Sequence, residues 1–168
     1  MQPETGADGA AGPDLAEAAA GLDPSILWLG AAIFALLVVS AFFSGSETAL
    51  TAASRPKLHG QADKGSRAAA AALSLKEDGE RLIGAILLGN NLANILATSL
   101  ATIFFTLLVG ESGVALATLA MTALVVVFAE IAPKNYAISA PERAAMMVAR
   151  PIGLIVRILA PIVGAVTV

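Results

Sequence analysis

The residues best placed to do chemistry are oxygen donors set into apolar sequence. Glu130, followed by Pro133 and Lys134, interrupts the run TALVVVFAEIAPKNY at residues 122–136. A carboxylate in hydrocarbon is costly and marks a functional site by default. Pro133 has no N–H, so in an α-helix the carbonyl of Ala129, four residues back, loses its donor. A carboxylate and a freed carbonyl are both hard oxygen ligands, the kind that Mg²⁺ and similar cations take. The structural alternative is an ion pair between Glu130 and Lys134, four residues apart on a helix, with the proline acting only as a kink.

Two further segments carry oxygens. In GNNLAN, residues 89–94, Asn90 and Asn94 share a helical face while Asn91 lies off that line. Amides in a bilayer commonly hydrogen-bond between helices, worth about 0.6–2 kcal/mol each. Three amides within five residues exceed what packing asks for, and clustered carbonyl oxygens are what a dehydrated cation needs. Ser40 and Ser44 lie one turn apart, with Glu47 three residues further on and Gly45 between, where a second backbone can approach. Small hydroxyl-bearing residues also serve ordinary helix packing in membranes, and for the serines alone packing is the commoner explanation.

The elements that position these groups follow from composition. Of 168 residues, 57% are hydrophobic and only 14% charged, against about 25% charged in soluble domains. Mean hydropathy is +0.80. The chain belongs to the membrane class: an all-α, multi-pass protein. A net charge of −3 gives no footing for nucleic acid, and the absence of cysteine excludes disulfides and thiolate metal sites. A single histidine, His59, cannot by itself build a zinc or haem site.

Residues 1–24 are acidic and rich in alanine and glycine, and predict a disordered tail without the basic region of a secretory signal. Apolar periodicity and length predict three transmembrane helices at about 26–51, 82–108 and 114–135. Between the first two, residues 55–78 are polar and alanine-rich, and predict juxtamembrane helices on the membrane surface. Pro141 starts another helix, and Pro151 is expected to break it. Arg143, Arg150 and Arg157 recur every seven residues, so 141–165 is expected to lie as an amphipathic interfacial segment rather than as a fourth span. Gly84, Gly89, Ala93 and Ala117 offer small-residue faces through which two copies could pair.

All ten Lys and Arg residues fall in 55–81 or 134–157. Three spans place both segments on one side, which the positive-inside rule makes cytoplasmic. This gives an inner (plasma) membrane protein with its N-terminus outside and its C-terminus in the cytoplasm. Ser40 and Ser44, the asparagines and Glu130 then sit at similar depth on three different helices, toward the cytoplasmic end of each. Packing alone does not demand that match. With one carboxylate, a site holding Mg²⁺ stays net positive, suited to moderate binding and release; Na⁺ fits equally on charge.

FFSGSETAL at 42–50, GNNLANI at 89–95 and EIAPK at 130–134, in that order, resemble the transmembrane domain of the CorC/CNNM (cyclin M) magnesium transporters. The resemblance implies a homodimer of three-span protomers, a cytoplasmic juxtamembrane belt and an inward-facing Mg²⁺ site. It implies Mg²⁺ export driven by Na⁺ entry. By motif, Ser44, Asn90, Asn94 and Glu130 would be ion ligands, with Ser40 and Asn91 beside them, and Pro133 and Lys134 would hold the kinked segment. Family members continue into cytoplasmic CBS domains, which this sequence does not contain, and carry glycine where Ala129 stands. The competing reading is a membrane scaffold or Mg²⁺ sensor that transports nothing. An intramembrane hydrolase using Ser44 and Lys134 has no oxyanion-hole motif behind it, so no enzymatic activity is expected.

Overall fold

The computed structural model describes residues 24–166; the acidic tail expected at 1–24 lies almost wholly outside them. All regular structure among the described residues is helical.

Helix α1, Pro24–Ala52, starts on a proline and is apolar on every side, the pattern of a helix with no aqueous face. At 1.5 Å per residue its 29 residues reach about 44 Å, beyond the roughly 30 Å of a bilayer core. The polar linker folds as two short helices. In α2, Arg55–Asp63, Pro56 occupies the first turn, and α3 is Arg67–Glu77. Gly65, at φ 90°, turns the chain between them, and the Ser66 hydroxyl caps α3 by accepting from the Ala69 N–H at 3.3 Å.

Helix α4, Gly79–Val109, returns through the apolar layer. Gly110 adopts φ 74°, ψ −151°, which side chains resist, and reverses the chain through one 3-10 turn. A Cβ on Gly113 would collide with the backbone of Phe105, so the hairpin closes only on glycine. The third rod is then continuous: α5, Gly113–Leu124; a π-helical stretch, Val125–Ile131; and α6, Ala132–Ser139.

Helix α7, Pro141–Val166, runs through Pro151 and Pro161, so the expected break at Pro151 does not occur. A proline removes one donor from the ladder, but α7 packs on α1, α3 and α4, with Ile152 wholly buried. That packing holds the helix across the gap. Among the described residues, three stretches are long and apolar enough to cross a membrane: Pro24–Ala52, Gly79–Ser139, which contains the hairpin and hence two rods, and Pro141–Pro161. Length and composition therefore admit α7 as a crossing helix as well as the interfacial one expected. It runs antiparallel along α1: Ala41–Ser46 share one cavity lining with Met147 and Val148, and Leu36 and Val39 share another with Ile155 and Leu159.

There are two apolar cores. One gathers Phe43, Leu50, Leu58, Ala72, Ile86 and Ile152, where the α2–α3 linker meets the rods. The other joins Ile33, Ala97, Ala101 and Met121 deeper among the three rods. Ala93, Ala97, Ala101 and Ala117 are buried within one protomer, and a Cβ on Gly89 would collide with the Phe43 ring. The small-residue faces expected to pair two copies are thus mostly consumed in bringing the protomer's own rods together.

Candidate functional site

Ser40, Asn90 and Asn94 fall between the two cores, and Ser44 follows Phe43 into the first. On α1, Ser40 follows the deep core residues Ile33 and Leu37 and precedes Phe43. On α4, Asn90 and Asn94 lie between Ile86 and Ala97. Phe43 of the first cluster reaches this level, its ring against Gly89.

Ser40 is fully buried and donates its hydroxyl to the side-chain oxygen of Asn90 at 2.8 Å, joining α1 to α4. Ser44 and Asn94 each follow by one turn in chain direction; because α1 and α4 run antiparallel, with Ile33 clustered with Ala101 and Leu50 with Ile86, they flank the Ser40–Asn90 bond on opposite sides, their backbones about 12 Å apart along the rods. The Ser44 Oγ and the Asn94 Oδ1 are buried and have no hydrogen-bond partner; no other buried side-chain oxygen or nitrogen among the described residues shares that condition. Leaving such an atom unmet costs about 1–3 kcal/mol, and native folds seldom tolerate it without a reason. Nearby polar groups are satisfied: Ser46 donates to the Phe42 carbonyl at 2.6 Å and Thr48 to that of Ser44 at 3.3 Å. The contrast comes from partner choice, since Ser46 and Thr48 bond back into their own helix and Ser44 does not.

The third rod meets α1 next to Ser44. A Cβ on Gly45 would stand 3.3 Å from the Pro133 Cβ and 3.5 Å from its carbonyl oxygen, so only glycine leaves the proline room without crowding. Glu130 precedes Pro133 by about one turn and is half-buried. It forms no ion pair with Lys134 among the described residues. It stands in the π-helical stretch, where Ala132 donates to the Val127 carbonyl five residues back. In that register the next acceptor, opposite the missing N–H of Pro133, is Phe128. The sequence pointed to Ala129 because it assumed an α-helical ladder. Such π insertions occur most often at functional sites.

Asn91 is not brought to the group. It is exposed, about 100° around α4 from Asn90. Among the described residues no three His, Cys, Asp or Glu side chains gather, so any cation held here would meet hydroxyls, amide oxygens and one carboxylate. This donor set fits a hard cation.

Sequence reasoning missed the groove beside Asn94. A cavity of about 270 Å³ is lined by Asn94, Thr98, Thr118, Met121, Thr122 and Val125 among others. Thr98, Thr102 and Thr106 on α4, and Thr118 and Thr122 on α5, each donate to the carbonyl four residues back at 2.7–3.0 Å. Their spacing of four was visible in the sequence. It also missed Lys76, whose ammonium on α3 caps α1 by donating to the carbonyls of Leu50, Thr51 and Ala53. Arg55 in turn donates to the Lys76 carbonyl at 2.8 Å.

The family model of the cyclin M transmembrane N-terminal domain matches residues 31–168. The UPF0053 inner membrane protein YfjD of Escherichia coli is 46% identical over 107 residues, 64% of this chain and 25% of that protein. A UPF0053 protein of Haemophilus influenzae is 37% identical over 127 residues, 76% of this chain and 30% of its own length. A DUF21 domain-containing chloroplastic protein of Arabidopsis thaliana is 36% identical over 138 residues, 82% of this chain and 21% of its own. The chain thus spans less than a third of the length of each of these relatives.

Proposed function

The chain belongs to the cyclin M (CNNM) transmembrane-domain family, and from that premise we propose that it carries Mg²⁺ as its transported substrate through a dehydrated site between the three rods. The observation that carries this reading is the pair of orphaned oxygens. Among the described residues, Ser44 Oγ and Asn94 Oδ1 are the buried side-chain oxygens without a partner, and both belong to motifs picked out for their chemistry. A cation arriving there turns an unfavourable burial into coordination. Asn90 and Ser40 extend the donor set along the same two helices. Glu130 supplies the one negative charge, and Pro133 and Lys134 hold the kinked stretch around it. Asn91, exposed, is left out of the site.

The grouping of the ten basic residues supports an orientation with the α2–α3 linker and the start of α7 in the cytoplasm and the N-terminus outside the inner membrane. The site then opens inward, and export of Mg²⁺ against Na⁺ entry is the transport mode we propose. Two protomers form the working unit. They pair through faces other than Gly89, Ala93 and Ala117, which are occupied within the protomer.

One observation favours the scaffold reading: the Ser40–Asn90 hydrogen bond joins two helices, as polar glue does in membranes. Mg²⁺ flux into or out of liposomes carrying a Mg²⁺-sensitive dye separates the two readings. The expected result is that Glu130→Gln loses flux while eluting and unfolding as the unaltered protein does. Equal flux in both proteins would leave only the scaffold.

A further inference from the structure

Outside the site already described, a cleft of about 440 Å³ lies between α3 and α7. Arg150 and Arg157 line it from α7, two helical turns apart, and Ser74, Leu75 and Asp78 line it from α3 and its end. Among the described residues neither guanidinium has a hydrogen-bond or ion-pair partner. The carboxylate of Asp78 is already engaged by Arg81 at 3.3 Å. The cleft therefore presents two free forks of N–H donors, and such forks match phosphate oxygens in geometry and charge.

Next to the arginines on α7 runs an apolar strip that the fold leaves bare. Met147, Leu154 and Ile158 are 64%, 61% and 63% exposed. At 100° per residue they lie some 40–80° around the helix from Arg150, while Arg143 and Arg157 lie within about 20° of it. A charged strip bordering an exposed apolar one is the arrangement of a helix edge at the headgroup boundary. A free phosphate would account for the arginines and leave the apolar strip unexplained. A phospholipid accounts for both.

We propose that the α3–α7 cleft is a binding site for an anionic phospholipid, its phosphate held by Arg150 and Arg157 and its acyl chain laid along Leu154 and Ile158. Ser74 supplies a hydroxyl for the headgroup. The site is separate from the oxygens of Ser44 and Asn94, and its existence does not depend on what those oxygens bind. A lipid held there ties α3 to α7, and α3 carries the lysine that caps α1.

Native mass spectrometry of the full chain in detergent tests this with three probes: phosphatidylglycerol, phosphatidylcholine and inorganic phosphate. Phosphatidylglycerol is expected to stay bound, phosphatidylcholine to leave, and millimolar phosphate to displace little. The double variant Arg150→Gln, Arg157→Gln should weaken phosphatidylglycerol binding by about thirtyfold, at about fivefold per basic residue near a charged surface. Arg143→Gln, outside the cleft, should bind as the unaltered protein does. Three results would overturn the site: equal retention of both lipids, displacement by phosphate at matched concentration, or undiminished lipid on the double variant. The comparison of probes on the unaltered chain stands even if the double variant does not fold.

Discussion

Two sets of polar groups share the apolar rods, and they are treated in opposite ways. The threonines of α4 and α5 each return their hydroxyl proton to their own helix, four residues back. Ser44 on α1, and Asn94 one turn before Thr98 on α4, hold buried side-chain oxygens with no partner. Hydroxyls and amides can usually find a carbonyl or a donor nearby, as Ser46 and Thr48 show within a few residues of Ser44. The difference therefore reflects position at the two cores and against a π-helical rod rather than residue type. An unmet oxygen in an apolar layer is a standing cost that a bound ligand or water removes.

The comparison can be broken or sharpened by substitution. The largest effect is expected from Gly89→Val, which sets a branched side chain against the Phe43 ring that holds α1 to α4. Overpacking should cost about 1–3 kcal/mol and spread the helices that carry the orphaned pair. Chemical unfolding in mild detergent, read by helical circular dichroism, would show the loss, and Phe43→Leu in the same chain should recover part of it.

Lys76→Met comes next. It removes the ammonium from the three carbonyls at the end of α1, a loss of about 1 kcal/mol for a helix C-terminal cation. Burial first, and then the neighbouring Arg55 guanidinium, push the Lys76 ammonium below its ordinary 10.5. The unfolded chain then binds more protons in the window between the lowered value and 10.5, so this lysine's contribution to stability rises as pH rises through that window. The margin of the unaltered protein over Lys76→Met should widen on going from neutral to alkaline buffer. A constant margin would show that the lysine does not titrate there. The smallest effect is expected from Thr102→Val, which gives up only a bond to its own helix. Thermal melts should agree to within about 0.5 kcal/mol.

Much of this was legible in the sequence because apolar period and motif spacing are local. The three rods, the shared face of Asn90 and Asn94 and the isolation of Asn91 all follow from counting along one helix. What was not legible depends on partners from elsewhere in the chain. Pro151 reads as a break until Ile152 is seen buried against the other helices. Ala117 reads as a docking surface until the hairpin closes over it. The acceptor opposite Pro133 shifts from Ala129 to Phe128 only because the ladder widens to five residues, and no residue type announces that. Lys76 is one basic residue among several until α3 folds back on the end of α1.

The central claim is that Ser44 Oγ and Asn94 Oδ1 are left unmet for the sake of a cation. Unfolding of the unaltered protein and of Ser44→Ala, each with and without Mg²⁺, tests it most directly. Without Mg²⁺ the variant should equal or exceed the unaltered protein in stability, by up to about 1–3 kcal/mol, because a buried unsatisfied atom has gone. With Mg²⁺ the unaltered protein should gain stability and the variant should gain far less. A variant that is less stable without the ion, and gains as much from it, would contradict the account.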